Sequence, residues 1–134
     1  MGSRVVLVVD DDPFSRRVVA RKLVQLAEVV EAADGLEALA QLETRNFDLA
    51  VIDLEMPNFC GLDLIRVIRG LQPLMHIPII VVTSNESHTA IDSALMAGAT
   101  SFLLKPLNWN TFGAHITHVL ALGARSRTDL TRAG

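Results

Sequence analysis

The sequence predicts a doubly wound α/β fold, with a five-stranded parallel sheet and helices on both faces. Three observations predict it. Short apolar runs alternate with segments of helical period five times along the 134 residues. The runs are apolar at consecutive positions, the pattern of strands covered on both sides. Four of them stop at reactive residues: Asp10 and Asp11 after Val5-Val6-Leu7-Val8-Val9, Asp53 after Leu49-Ala50-Val51-Ile52, Thr83 after Ile79-Ile80-Val81-Val82, and Lys105 after Phe102-Leu103-Leu104. In an open parallel sheet the carboxyl ends of the strands share one edge, and that edge is where ligands bind.

Arg4 to Asp10 is the first strand, and Asp12-Pro13 opens a helix with a capping carboxylate and proline in the first turn. Val19, Leu23 and Leu26 recur at helical spacing, so the first helix is expected over about 13–26, with Arg16, Arg17 and Lys22 on its other faces. Glu28 to Ala32 is a short second strand. Asp34-Gly35 turns into a helix that carries Leu36, Leu39 and Leu42, and Asp48 to Asp53 is the third strand. After Met56-Pro57 a loop ends at Gly61, and Leu64, Ile65, Ile68 and Leu71 line one face of a third helix. Pro73 and Pro78 bracket the connection to the fourth strand, Ile79 to Thr83. The fourth helix carries Ile91, Ala94 and Leu95, with Gly98 placed for a left-handed C-terminal cap. Ser101 to Leu104 is the fifth strand, and Phe112, Ile116 and Val119 give the last helix its buried stripe. Residues 123–134 show no periodicity and read as a flexible tail or the start of a linker. Met1-Gly2-Ser3 reads as an expression remnant, which leaves one domain over 4–122.

Composition narrows the function classes. Half the residues are hydrophobic, yet the apolar stretches are strand-length and far short of the roughly 20 residues of a membrane helix. A net charge of −3 without a basic stripe argues against direct nucleic-acid binding by this segment, and Arg125, Arg127 and Arg132 are too sparse to alter that. A single cysteine and the lack of a signal-peptide pattern make the cytoplasm the expected location.

Asp10, Asp11 and Asp53 brought together repel one another, and burial adds pressure to protonate. A cation resolves this, and oxygen ligands without His or Cys favour Mg²⁺, with Mn²⁺ as a substitute. Lys105 offers a point charge and Thr83 a hydroxyl to phosphate oxygens. A carboxylate can itself attack phosphorus to form an aspartyl phosphate. Asp53, alone on the central strand, is the candidate nucleophile.

Val9-Asp10-Asp11-Asp12-Pro13, Asp53-Leu54-Glu55-Met56-Pro57, Thr83-Ser84 and Lys105-Pro106 together resemble the receiver domain of two-component response regulators, over about residues 4–122. The resemblance implies the flavodoxin-like strand order 2-1-3-4-5. It implies that Asp53 accepts a phosphoryl group from a phosphohistidine of a sensor histidine kinase or phosphotransfer protein. It further implies that Asp11 binds Mg²⁺ directly, Asp10 through water, and Asp53 and the Glu55 backbone carbonyl complete the set. A cis peptide before Pro106 and a switch aromatic at Phe102 also follow from it. Thr83 and Phe102 then move on phosphorylation, and the surface of helix four, strand five and helix five changes shape. Output passes to a downstream protein or an attached output domain, and a homodimer through that surface belongs to the same expectation. Such a domain is regulatory rather than an enzyme, although it promotes its own phosphoryl transfer and its own dephosphorylation. Cys60 departs from the family pattern, which commonly has an acidic residue before Gly61. Glu55 and Asn85 occupy positions that modulate phosphoryl lifetime in the family.

Other readings compete. Asp12 is better explained as a helix cap than as a ligand, and Phe102 as core as well as switch. His115 and His118 lie one turn apart without a third ligand and read as an exposed face. His76 and His88 carry no signal, and Cys60 reads as a tolerated small residue. Trp109 is expected to pack at the start of the last helix. Asp10 and Asp12 form the D-x-D pair of a haloacid-dehalogenase-type phosphohydrolase, but that class needs further acidic ligands after the lysine and only Asp129 remains. A degenerate receiver acting as a constitutive docking domain is the third reading.

Overall fold

A computed structural model describes residues 4–56, 59–74 and 76–133, of which 73 and 123–133 are described by their backbone alone. Pro57 of the Asp53 motif lies outside the described residues. In chain order the elements are β1 (Val5–Val9), α1 (Pro13–Leu23), β2 (Glu28–Ala32), α2 (Gly35–Thr44), β3 (Leu49–Asp53), α3 (Gly61–Gly70), a 3₁₀ turn (Gln72–Leu74), β4 (Ile79–Thr83), α4 (His88–Ala97), β5 (Ser101–Leu104) and α5 (Trp109–Ala133). The sheet runs β2-β1-β3-β4-β5 with every neighbouring pair parallel. This is the flavodoxin-like order.

Side chains alternate across a strand, so each apolar run feeds two cores. Leu7, Val9, Ala50, Ile52, Ile79 and Val81 pack on one face beneath α2, α3 and α4. Val6, Val8, Leu49, Val51, Ile80 and Val82 pack on the other beneath α1 and α5, against Leu23, Phe112 and Ile116. Each fully buried aliphatic side chain contributes about 1.5–3 kcal/mol by leaving water. β3 and β4 are buried at every residue, which makes them the rigid centre of the sheet.

Four apolar residues expected to line helix faces lie elsewhere. α1 stops at Leu23, where the Leu26 and Ala27 amides both fold back to the Leu23 carbonyl, so Leu26 is left outside the helix and exposed. The turn is forced by β2, whose first amide, on Glu28, pairs with the Arg4 carbonyl. In α2 the buried stripe is Gly35, Ala38 and Leu42, and Leu36, rotated about 100° from Gly35, points to solvent at 69% exposure. Leu71 caps α3 and Leu95 sits on the outer side of α4, both exposed. The backbone of α5 continues through 123–133, the segment set apart in the sequence as a tail or linker start.

Candidate functional site

The site is assembled from strand ends. Asp10 follows β1 and stays in register, its amide donating to the Ala32 carbonyl at 3.1 Å. Its Oδ1 accepts the Asp12 amide at 3.0 Å, closing a turn that places Asp11 on the surface. Asp12 is the cap of α1: its Oδ2 accepts the Ser15 hydroxyl at 2.6 Å and the Ser15 amide at 3.2 Å. The Ser15 hydroxyl chiefly, and then the Ser15 amide, hold the Asp12 carboxyl below its usual value. With that carboxylate committed to the helix, the D-x-D pairing of a phosphohydrolase loses its second acid.

Asp53 ends β3 and is 5% exposed. Its Oδ1 accepts the Glu55 amide and its Oδ2 accepts Lys105 Nζ, both at 3.0 Å. Gly61, at the start of α3, makes this placement feasible. A Cβ there would stand 2.6 Å from the Asp53 carbonyl oxygen and 2.8 Å from Leu54 Cα, so only glycine lets the helix start so close to the strand end. Sequence reasoning marked Gly61 only as the end of a loop. The signal available was its place eight residues after Asp53, before a helix.

Asp10, Asp11 and Asp53 bring ligating oxygens within 4.8 Å of one another. Burial first, and the neighbouring Asp10 charge as well, push the Asp53 carboxyl up to about 7, against the pull of Lys105 and the Glu55 amide. Partial burial would lower the Lys105 ammonium, but the Asp53 hydrogen bond and the surrounding carboxylates raise it instead. The acids fit a hard divalent cation by their chemistry: three carboxylates offer oxygen ligands only, within 4.8 Å of one another, with no His or Cys among them. The three carboxylates favour an incoming cation, and the Lys105 ammonium favours a phosphoryl oxygen.

Thr83 stands apart from this group. It is fully buried at the end of β4, and its hydroxyl donates to Glu55 Oε1 at 2.8 Å while accepting the Asn85 amide at 3.0 Å. The same Glu55 oxygen accepts the Ser84 amide at 2.7 Å and the Ser84 hydroxyl at 2.8 Å. Desolvation alone would raise the Glu55 carboxyl, but the hydrogen bonds from Ser84 and Thr83 win and lower it. The sequence marked Glu55 for its backbone carbonyl and as a position that modulates phosphoryl lifetime in the family, and its carboxylate bond to Thr83 was not foreseen. Phe102 is half-buried and packs on the core face shared with α3 and α4. The Lys105-Pro106 peptide is cis.

Beside Asp53 and Lys105 a largely apolar cavity of about 210 Å³ opens between α1 and the start of α5, with Phe14, Val18, Leu107 and Trp109 among its walls. Trp109 stacks edge-on against Phe112 with ring centres 5.1 Å apart. His115 lies away from the site, its Nε2 at 2.9 Å from the Ser101 hydroxyl. Cys60 precedes α3 as a free, half-buried thiol.

Residues 6–117 match the response regulator receiver domain family. The chain is 37% identical over 103 residues to the chemotaxis protein CheY of Pseudomonas aeruginosa, covering 75% of this chain and 83% of that protein. It is 40% identical over 105 residues to the CAI-1 autoinducer sensor kinase/phosphatase CqsS of Vibrio cholerae, covering 77% of this chain and 15% of that protein. The solved structure of the Vibrio cholerae chemotaxis protein CheY4 superposes with a TM-score of 0.83 at 32% identity, covering 88% of this chain and 99% of that one.

Proposed function

Because this chain belongs to the response regulator receiver domain family, a family of phosphorylation-switched regulatory domains, we propose that Asp53 accepts a phosphoryl group from a phosphohistidine of a sensor histidine kinase or phosphotransfer protein. The observation that carries this reading is the setting of the Asp53 carboxylate. It is buried, held by one backbone amide and one ammonium at 3.0 Å, and clustered with two further carboxylates.

The chemistry follows from those contacts. An Asp53 oxygen attacks phosphorus, the new O–P bond forms as the N–P bond of the donor breaks, and the released imidazole keeps the electron pair and takes a proton. The Glu55 amide fixes the carboxylate plane. Lys105 moves from Asp53 Oδ2 to an oxygen of the transferred group as negative charge develops there. Mg²⁺, or Mn²⁺ in its place, supplies charge neutralisation on the phosphoryl oxygens when held by Asp10, Asp11, Asp53 and the Glu55 carbonyl. The domain also promotes its own dephosphorylation, in which water attacks phosphorus opposite the Asp53 oxygen, the new O–P bond forms as the aspartyl O–P bond breaks, and Asp53 is returned as the carboxylate.

Output is assigned to α4, β5 and α5. Thr83 leaves Glu55 for the new phosphoryl group, Phe102 follows, and the face carrying Met96, Leu95 and Leu104 is reshaped. Met96 is 88% exposed, which suits a face that binds a downstream protein, an attached output domain or a second copy of the chain. In this reading residues 4–122 are the receiver, 123–134 are a tail or the start of a linker, and the domain works in the cytoplasm without contacting nucleic acid or membrane itself. No helix among the described residues is long and apolar enough to cross a membrane.

The test is intact mass after incubation with acetyl phosphate and Mg²⁺. One phosphoryl adduct is expected, absent without metal and absent in Asp53→Asn. An adduct of equal yield in Asp53→Asn would remove Asp53 as the acceptor.

A further inference from the structure

The loop that carries Asp10 and Asp11 is gripped from β2 and α1 by two charged side chains that take no part in the chemistry above. Asp10 is held at three points. Its amide pairs with Ala32 O at 3.1 Å, its Oδ1 accepts the Asp12 amide at 3.0 Å, and its carbonyl accepts Arg16 Nη1 at 2.7 Å. Arg16 is itself tethered, donating Nε to Glu31 Oε1 at 3.0 Å, and Glu31 stands on β2 directly before Ala32. The other Glu31 oxygen accepts Arg17 Nε at 3.1 Å. The Arg16 side chain is 16% exposed and that of Glu31 27%, whereas Arg17 is 64% exposed.

The carbonyl that Arg16 holds belongs to the peptide joining Asp10 to Asp11. Rotating that peptide changes the backbone torsions on both sides and swings both carboxylates at once. Three acids in mutual repulsion have reason to make that rotation, and a half-buried, two-pronged guanidinium opposes it. Charge points the same way. A guanidinium this near the acids would by itself disfavour a cation, and the Glu31 carboxylate, on which Arg16 and Arg17 both rest, offsets part of that charge.

Resting on the reading of Asp10 and Asp11 as cation ligands, we propose that Arg16, held by Glu31, is a positioning residue that sets divalent-cation affinity by fixing the Asp10-Asp11 peptide. It touches neither the cation nor the phosphoryl group. Residues behind metal ligands characteristically change affinity on the order of 10-fold or more when replaced.

The probe is Mn²⁺, read by loss of the free-ion electron paramagnetic resonance signal, with melting temperature measured on the same metal-free samples. Arg16→Gln is expected to raise the Mn²⁺ dissociation constant roughly 10-fold, and Glu31→Gln several-fold. The double variant is expected to match Arg16→Gln within about 2-fold, because two groups acting through one contact do not add. Arg17→Gln, which reaches only the outer oxygen of Glu31, leaves the constant unchanged. Acetyl phosphate labelling of Arg16→Gln falls at limiting Mg²⁺ and returns to the parent rate at saturating Mg²⁺. Arg16→Lys, which keeps the charge and loses the fork, gives an intermediate constant and keeps the test available should Arg16→Gln not fold.

A lowered melting temperature with an unchanged Mn²⁺ constant in the Arg16 variants would show Arg16 to be a staple between α1 and β2 only, and would overturn the proposal. A parent protein that binds no Mn²⁺ overturns it together with the reading it rests on, so the two failures are told apart by the parent alone.

Discussion

Around the end of β3, Asp53 already has Lys105 at 3.0 Å and the oxygens of Asp10 and Asp11 within 4.8 Å. At the end of β4, Thr83 gives its hydroxyl to Glu55, and Ser84 gives the same oxygen two more hydrogen bonds. A hydroxyl has one proton to donate, so Thr83 serves Glu55 or a phosphoryl oxygen and never both. The packing differs in the same sense. α3, behind Asp53, buries Leu64, Ile65 and Ile68, while among the described residues of α4 Ala94 alone is buried. In the function proposed above, acceptor chemistry is laid out in advance on a rigid frame, and the switch is a set of competing hydrogen bonds beside a loosely packed helix. Regions with few buried apolar contacts are the ones that open at low free energy.

The largest expected effect tests the prepared half. Lys105→Ala removes the ammonium from Asp53 and from the site of developing charge, and labelling by acetyl phosphate should fall on the order of 10²-fold. A loss of less than about 3-fold would mean that Lys105 merely neutralises Asp53 in the resting protein.

The resting strain of that half has a pH signature. The Asp53 carboxyl stands at about 7 in the fold against an ordinary 3.8, first because it is buried. Between those values the folded protein holds a proton that the unfolded chain has released. The stability due to Asp53 is therefore complete below about pH 4 and is lost as pH rises through about 7. The full linkage is worth roughly 4 kcal/mol, and screening by solvent reduces it, so metal-free protein should lose on the order of 2 kcal/mol from this group between those limits, seen as a melting temperature lower by about 7 °C. Asp53→Asn should flatten the profile, and Mg²⁺ at pH 8 should restore the lost stability in the parent by binding the folded state. A profile of equal slope in Asp53→Asn would assign the effect to other groups.

Glu55→Ala tests the switch half. Removing the carboxylate frees the Thr83 hydroxyl and the Ser84 amide and hydroxyl without touching Asp53 Oδ1, which is held by the Glu55 backbone. Hydrogen bonds to a charged group are each worth about 1.5–3 kcal/mol, and part of that returns through water, so the equilibrium should move toward the phosphorylated conformation by about 10-fold. The measurement is binding of beryllofluoride, a phosphoryl mimic, which should tighten by that factor. Unchanged binding would mean that Glu55 and the phosphoryl group do not compete for Thr83.

The sequence displays the prepared half far better than the switch. Asp10, Asp11, Asp53 and Lys105 each terminate an apolar run, so strand direction alone brings them to one edge, and there they meet. The strand order and the two-sided core follow from the same runs. What does not follow is anything that depends on how surfaces approach across the sheet. Glu55 reaches Thr83 across 28 positions and Arg16 reaches Glu31 across 15, and neither pairing leaves a periodic trace in the chain. Gly61 carries a contact with the backbone of Asp53 that no spacing rule announces. Leu36 and Leu95 fit helical period as well as their buried neighbours do, and they are exposed because the apolar stripes fall on Ala38 and Ala94 instead.

The smallest effect sharpens the contrast between rigid and movable elements. Ser87 caps α4, its hydroxyl accepting the Ala90 amide at 3.1 Å, and at the other end Gly98 closes the helix at φ 123° with its carbonyl held by Arg69 Nε at 2.9 Å. Ser87→Ala removes only the first of these anchors. Loss of a serine cap costs about 1 kcal/mol of helix stability. In a helix packed through three buried residues that loss would pass to the whole domain, because the helix cannot leave the core without unfolding it. α4 is held by Ala94 and by Arg69 at its C-terminal end, so its first turn can open while the sheet stays closed. Amide exchange over residues 88–91 should quicken by roughly 5-fold with the global melting temperature almost unmoved. A matched fall in global stability would show instead that α4 is part of the rigid frame, and the switch would then have to move it as one piece with β4 and β5.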